Sequence, residues 1–167
     1  MAGFFRNIFR TLNEERVKYL VVGGLAVVLH GAPRFTADVD MMVDLTEKNV
    51  LKLWKALIKI GYRPRIPVEA KDFADPAKRR SWIEEKNMKV FQFVNPDRPI
   101  EGVDIFVENP IDFAEAYSRR KEVQLGDIAI PIASLDDLIY LKKEAARAKD
   151  LADIGALEDI KEQNDNE

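Results

Sequence analysis

The most restrictive feature of the chain is a short apolar run, Lys18 to Val22, that ends in the adjacent glycines Gly23 and Gly24. Because the apolar character continues over residues 25–29, this segment predicts a buried strand followed by a short helix. Glycine has no Cβ, so the backbone of such a turn can approach a ligand closely, and polyphosphate suits the exposed N–H groups. On its own, a glycine pair is more often only a tight turn.

Hydrophobic spacing along the rest of the chain predicts an α/β (α+β) domain with a mixed β-sheet and flanking helices. An amphipathic helix is expected over residues 3–16 and a mixed-sheet core over residues 18–132. Within this core we expect strands over residues 39–45 and 102–108, a helix after Thr46 to about residue 60, and a hairpin over residues 122–132. Two C-terminal helices follow over residues 134–161. We expect Ser134 to begin the first, with Asp137 at the capping-box position, and Asp150 to cap the second. At 167 residues the chain suits one domain, residues 1–167.

Composition narrows the function classes. The chain has no cysteine, which excludes disulfides, Cys-ligated zinc and a thiol nucleophile. Its net charge of −3 argues against a basic nucleic-acid-binding domain, although local basic runs such as 78–80 and 119–121 exist. The longest apolar stretch, Tyr19 to Leu29, is shorter than the ~20 residues of a membrane span. We therefore expect a cytoplasmic protein with no membrane partner.

Three aspartates are the second feature, after the glycine pair, that indicates a functional site. Asp38 and Asp40 alternate on a predicted strand, so both side chains lie on one face and repel each other unless a cation lies between them. Asp104 interrupts the apolar run Val103 to Val107, where a carboxylate is costly without a partner. The partner is either a basic side chain or a metal. If the two strands are neighbours, the three carboxylates converge and suit Mg²⁺, and Asp104 is then the best candidate to accept a proton.

The glycines and aspartates belong to one longer pattern, Gly23-Gly24-x-Ala26-x-x-x-His30-Gly31-x-x-Arg34-x-Thr36-x-Asp38-x-Asp40. This pattern resembles the signature of the nucleotidyltransferase superfamily related to DNA polymerase β. Within that superfamily it is most similar to the branch of AbiEii-type toxins and small antibiotic nucleotidyltransferases. Two later segments also resemble that branch: Asp137-Leu138-Ile139-x-Leu141-Lys142 and Arg147-x-Lys149-Asp150-Leu151-x-Asp153-Ile154.

The resemblance implies a nucleotidyltransferase fold and assigns a role to each matched position. Gly23 and Gly24 would hold the nucleotide phosphates, and Lys142 would reach a phosphate of the incoming nucleotide. The metal ligands would be Asp38, Asp40 and Asp104. Arg34 and Thr36 would orient the aspartates or contact substrate, although hydrogen bonding within their loop explains them equally well. Without the resemblance, Lys142 would be taken for a solvated side chain. The lone histidine, His30, is more often structural at such a position.

The predicted activity is transfer of an NMP group from an NTP, with Mg²⁺ as cofactor, to a hydroxyl or phosphate acceptor. RNA 3′ ends, a protein as in toxin–antitoxin pairs, and a small molecule such as an aminoglycoside or lincosamide all remain open as acceptors. A homodimer is also left open. The alternative from another class is a catalytically inactive nucleotide-binding or antitoxin-like module of the same fold.

Overall fold

The computed structural model describes residues 2–167, in which seven strands form one mixed sheet flanked by eight helices. The strands are β1 (Tyr19–Val22), β2 (Val39–Val43), β3 (Arg63–Pro64), β4 (Val90–Asn95), β5 (Arg98–Phe106), β6 (Lys121–Leu125) and β7 (Ile128–Ile132). The helices are α1 (Ala2–Glu14), α2 (Gly23–Leu29), α3 (Glu47–Lys59), α4 (Ala70–Ala74), α5 (Pro76–Lys86), α6 (Phe113–Ser118), α7 (Leu135–Ala145) and α8 (Ala148–Asp165).

The order of the strands across the sheet is β3-β4-β5-β2-β1-β7-β6. At its centre β2 pairs in parallel with β5 and antiparallel with β1, while β1 pairs in parallel with β7. Two antiparallel hairpins, β4–β5 and β6–β7, complete the two sides. The sheet is therefore mixed, which confirms the predicted fold class.

One face of the sheet is covered by a continuous apolar layer. The ring of Phe9 on α1 stacks on Tyr19 of β1 with centroids 5.9 Å apart. Trp54 on α3 lies 5.5 Å from Phe91 and 4.7 Å from Phe93, both on β4. These aromatic contacts follow from the alternation of side chains along a strand, because Phe91 and Phe93 point to the same face. The residue between them, Gln92, consequently points to the opposite face of the sheet, which carries the polar side chains described below.

Three differences between the predicted boundaries and the structure concern elements of the candidate site. Helix α2 begins at Gly23 itself rather than after the glycines. Strand β5 begins at Arg98, four residues before the predicted start at Gly102, because it forms a hairpin with β4. The predicted N-cap Asp150 is wrong, since α8 begins at Ala148 and Arg147 is its N-cap. Asp150 instead lies in the first turn and accepts a hydrogen bond from the backbone N–H of Arg147.

Helices α7 and α8 form the predicted C-terminal pair. Ser134 caps α7 by accepting a hydrogen bond from the N–H of Asp137, as the sequence predicts. The pair is joined at Ala146, whose φ of 52° lies in the left-handed region. Over residues 2–167, no helix is both long and apolar enough to span a bilayer.

Candidate active site

Four residues on adjacent strands lie opposite one another and form a row across the middle of the sheet. Asp40 on β2 lies opposite Asp104 on β5, and Asp104 lies opposite Gln92 on β4. On the other side of Asp40, the opposed residue on β1 is Val22, which directly precedes the glycine pair. The pairing of β2 with β5 thus fulfils the condition under which the sequence predicted that the aspartates would converge.

The glycine pair allows this row to form. Gly23 has a φ of 67°, and a Cβ at this position would overlap the carboxylate of Asp40. A Cβ on Gly24 would lie 2.9 Å from a guanidinium nitrogen of Arg34 and 3.2 Å from the hydroxyl of Thr36. The absence of side chains at both positions therefore makes room for the protein's own polar groups. The sequence predicts that it also makes room for a ligand.

The sequence predicts Asp38 on the same strand as Asp40, but Asp38 lies one residue before β2, where backbone groups hold it. Its Oδ1 accepts a hydrogen bond of 3.0 Å from the N–H of Gly102, which occupies β5 two residues before Asp104. The hydroxyl of Thr36 donates to the backbone oxygen of Asp38 across 3.3 Å. This is the loop hydrogen bonding that the sequence offered as one explanation of Thr36. These contacts fix the segment that leads into β2.

The proximity of the carboxylates changes their acidity. Burial and then the charges of Asp40 and Asp38 raise the pKa of Asp104 to about 7. Burial also raises the pKa of Asp40, and the charge of Asp38 adds to this, while Asp104 and the cations Lys142 and Lys149 oppose it. Asp40 and Asp104 therefore resist being ionised together unless a cation is added.

The residues present fit a divalent cation held jointly with a substrate. Within residues 2–167, Oδ1 of Asp104 is buried and has no hydrogen-bond partner, so it is an acceptor that a cation could satisfy. Among the described residues, no three His, Cys, Asp or Glu side chains are grouped so that they could hold a metal ion by themselves. Asp38 has one oxygen engaged by Gly102. Where Mg²⁺ also binds substrate phosphates, a protein typically contributes only one or two carboxylates as ligands, and this site has two adjacent ones.

Behind the carboxylates lies a chain of alternating charges that the sequence did not predict. Lys142 on α7 is buried, and its ammonium is 2.9 Å from Asp153 and 3.3 Å from Asp150, both on α8. Asp153 also accepts a 2.6 Å hydrogen bond from Arg34, and Asp150 accepts one of 2.8 Å from Arg147. We call these five residues the ion chain. It links the loop before β2 to both C-terminal helices.

The ion chain corrects the expectation, made without the resemblance, that Lys142 is solvated. Burial alone would raise the pKa of Asp150, but hydrogen bonds from Arg147 and Lys142 outweigh it and hold that pKa at about 2. The structure thus places Lys142 between two carboxylates, while its charge still acts on Asp40. The three-residue spacing of Arg147, Asp150 and Asp153 places them along one side of a helix, and this was the available sequence signal.

His30 lies outside the row of carboxylates. Its Nε2 is 2.8 Å from the backbone oxygen of Ala133, which follows β7, and the imidazole is partly buried. Burial, followed by the charge of Lys121, lowers the pKa of His30, and the contact with Ala133 opposes this. The contact favours the structural role that the sequence suggested for this histidine.

Comparison with known families identifies the chain. A family described as "nucleotidyltransferase of unknown function (DUF6036)" matches residues 5–165. The chain belongs to this nucleotidyltransferase family. A comparison with curated proteins gives no match. The AbiEii-type branch suggested by the sequence pattern stays a prediction.

Several solved structures share the fold of this nucleotidyltransferase. A lincosamide antibiotic adenylyltransferase, LnuA, crystallised with lincomycin, matches with a TM-score of 0.64 and 18% identity over 95% of this chain and 96% of its own. ANT(2″)-Ia in complex with adenylyl-2″-tobramycin matches with a TM-score of 0.59 and 14% identity over 93% and 86% of the two chains. A nucleotidyltransferase-like protein from Paracoccidioides brasiliensis gives 0.52 and 14% over 89% and 70%. At these identities the likeness concerns the fold, and it confirms the predicted nucleotidyltransferase fold.

Proposed function

We propose that this protein transfers an NMP group from an NTP to a hydroxyl or phosphate acceptor, with Asp40 and Asp104 as the central pair of its active site. The observation that carries the proposal is their direct opposition on β2 and β5, beside the glycine turn. A partly buried pair of like charges destabilises a fold, so its presence in a nucleotidyltransferase family member supports a role in binding a cation. Asp38 supplies the third carboxylate of the proposed set.

Mg²⁺ is the proposed cofactor, and Asp40 and Asp104 would hold it, with Asp38 as an additional ligand. When bound, the ion would neutralise the carboxylates and the charge that develops on the leaving pyrophosphate. In the transfer itself, the acceptor oxygen forms a bond to the α-phosphorus and the bond from that phosphorus to the bridging oxygen breaks, releasing pyrophosphate. Asp104 is proposed to take the acceptor proton, because its Oδ1 is buried at the site and has no hydrogen-bond partner among the described residues.

The triphosphate is proposed to bind at the turn of Gly23 and Gly24, with Arg34, Thr36 and Lys142 on one side. Lys142 and Arg34 keep N–H donors available for the triphosphate, although both belong to the ion chain. An ammonium has three N–H groups and a guanidinium has five. Lys142 directs its ammonium at two carboxylates, and Arg34 makes one hydrogen bond to Asp153. Each therefore can contact a phosphate oxygen while α8 holds it in place.

The acceptor is proposed only as a class. Two of the structural neighbours carry names or ligands that denote adenylyl transfer to a small antibiotic molecule, and an aminoglycoside or lincosamide hydroxyl is one acceptor to test. An RNA 3′ end and a protein side chain, as in a toxin–antitoxin pair, are the others. The rival function is a catalytically inactive nucleotide-binding or antitoxin-like module, which would bind NTP without releasing pyrophosphate.

The test incubates the purified protein with each NTP, with and without Mg²⁺, and measures pyrophosphate release and intact protein mass. The acceptors are then added in turn: RNA, aminoglycosides and lincosamides. We expect release that requires Mg²⁺ and one acceptor, with a mass gain of one nucleotide if the acceptor is the protein itself. Binding of NTP without release under every condition would support the inactive module instead.

Asp40→Asn is the decisive variant and should abolish release while leaving the fold intact. Asp44→Asn is its matched control, because Asp44 follows the same strand and its carboxylate accepts a hydrogen bond from the N–H of Thr46. The asparagine oxygen can keep that bond. Retained activity in Asp40→Asn would overturn the assignment of the site.

A further inference from the structure

We propose that Gln92 is a positioning residue for Asp104, and that Arg65 sets the orientation in which the Gln92 amide meets the carboxylates. The catalytic consequence of this arrangement rests on the proposed function. The orientation of the amide does not, so the two can be tested separately.

The position of Gln92 follows from the sheet. Gln92 is the cross-strand partner of Asp104 in the antiparallel β4–β5 pair, and it continues the row of Asp104 and Asp40 by one strand. Arg65 lies just past the short strand β3 on the far side of Gln92. Its backbone N–H donates to the backbone oxygen of Gln92 across 2.9 Å. The row therefore extends from the glycine turn to the outer strand of the sheet.

The side chain of Arg65 fixes the orientation of the amide. A guanidinium nitrogen of Arg65 is 2.6 Å from Oε1 of Gln92. A guanidinium has donors only, so it selects the carbonyl end of the amide and leaves the NH₂ end to point elsewhere. A Cβ built on Gly102 would lie 3.1 Å from both Nε2 of Gln92 and Oδ1 of Asp38. The NH₂ group is consequently directed toward the carboxylates on β2 and β5.

This placement gives the carboxylates a neutral donor. Gln92 and Asp104 are direct cross-strand partners, so the NH₂ group of the amide lies beside the Asp104 carboxylate and has hydrogen atoms to offer it. A lysine or arginine at this position would instead supply a full charge and compete with a bound cation for the same carboxylates. Because Oδ1 of Asp104 has no partner among the described residues, the amide can orient the carboxyl and still leave an oxygen to a ligand.

The first experiment tests the orientation in the protein without nucleotide. Side-chain NH₂ signals of ¹⁵N-labelled protein are recorded by NMR, and the Gln92 pair is assigned by its absence in Gln92→Glu. We expect Asp104→Asn and Arg65→Ala each to shift this pair. Arg63→Ala is the matched control, since the Arg63 guanidinium donates to the backbone oxygens of Ile58 and Tyr62 instead. A Gln92 pair that neither variant moves more than Arg63→Ala does would overturn the inference.

The second experiment tests the consequence for catalysis by pyrophosphate release. Gln92→Glu replaces the donor with a fourth carboxylate and should lower kcat at least tenfold, with little change in KM for the nucleotide. Arg65→Ala should lower kcat less, and Arg65→Lys should restore it. Gln124→Glu, at an exposed position of β6, is the control for added charge. An unchanged kcat in Gln92→Glu would refute positioning, whereas wild-type protein without any release would refute the proposed function and leave the NMR result to decide the orientation.

Discussion

Arg34, in the loop that leads into β2, donates a 2.6 Å hydrogen bond to Asp153, on the C-terminal helix α8. The two residues are 119 positions apart in sequence. Because Gly24 leaves room for the Arg34 guanidinium, and Asp153 also holds Lys142, this one contact connects the glycine turn to the helical pair. The C-terminal helices are thereby part of the environment of the carboxylates.

Lys142→Ala should destabilise the protein strongly. The change leaves Asp150 and Asp153 buried with one cation fewer between them. Loss of one partner from a buried ion pair costs about 3 kcal/mol in unfolding free energy. Lys143→Ala is the matched control, because the Lys143–Glu158 pair is exposed and 3.6 Å apart. Such a pair contributes about 0.5 kcal/mol or less. Urea unfolding measures both, and equal losses would show that the ion chain is not a stabilising element.

Gly23→Ala should disrupt the site from within. The new methyl group would meet the Asp40 carboxylate, and the backbone φ of 67° is unfavourable for alanine. We expect a loss of about 2 kcal/mol or more from the backbone strain and the displaced side chain together. In Gly155→Ala, by contrast, no atom lies within 4 Å of the new Cβ. That helical change should stabilise α8 by about 0.5–1 kcal/mol. Thermal unfolding of both variants checks this, and a Gly23→Ala protein as stable as the wild type would contradict the observed close approach.

Asp40→Asn should stabilise the metal-free protein while it removes activity. Burial raises the pKa of both Asp40 and Asp104, and the charge of Asp38 adds to the rise at each, which means that ionising them costs folding free energy at neutral pH. An uncharged asparagine relieves this, and we expect the free energy of unfolding to rise by about 1 kcal/mol, the usual size of a single-substitution effect. The measurement is urea unfolding with EDTA at pH 7.5. If Asp40→Asn were the less stable protein, the repulsion would not be the dominant interaction of the pair.

The contribution of His30 to stability should fall as the pH is lowered below about 6.5, while protonation of Asp104, whose pKa is raised, acts in the opposite direction. Burial lowers the pKa of His30 in the folded protein, so the unfolded chain binds its proton at a higher pH. The stabilisation is therefore complete above the unfolded pKa of about 6.5 and is lost as pH falls toward the folded value. His30→Gln keeps an N–H donor for the backbone oxygen of Ala133 but does not titrate. Between pH 5.5 and 7.5, the unfolding free energy of His30→Gln should rise less with pH than that of the wild type, or fall more; identical pH dependences would exclude this contribution.

Short-range patterns predicted most of the secondary structure. The alternation of apolar residues and the glycine, proline and capping positions located the strands β1 and β2, the helices α1 and α3, and the β6–β7 hairpin close to their observed bounds. The early start of β5 was missed because residues 98–101 contain a proline and two charged residues, and they become a strand only by pairing with β4. Pairing across a sheet is a non-local interaction that a single segment does not encode.

The sequence alone determined which chemical groups this protein has available and how they are spaced along each element. It placed Asp38 and Asp40 on one strand face and Asp104 in an apolar strand, because side-chain direction follows from backbone geometry within a few residues. Tertiary structure decided which of these groups meet. The parallel pairing of β2 with β5 set Asp40 against Asp104, and the packing of α7 and α8 buried Lys142 between carboxylates. Contacts between distant segments depend on strand register and helix docking, and these are properties of the whole fold.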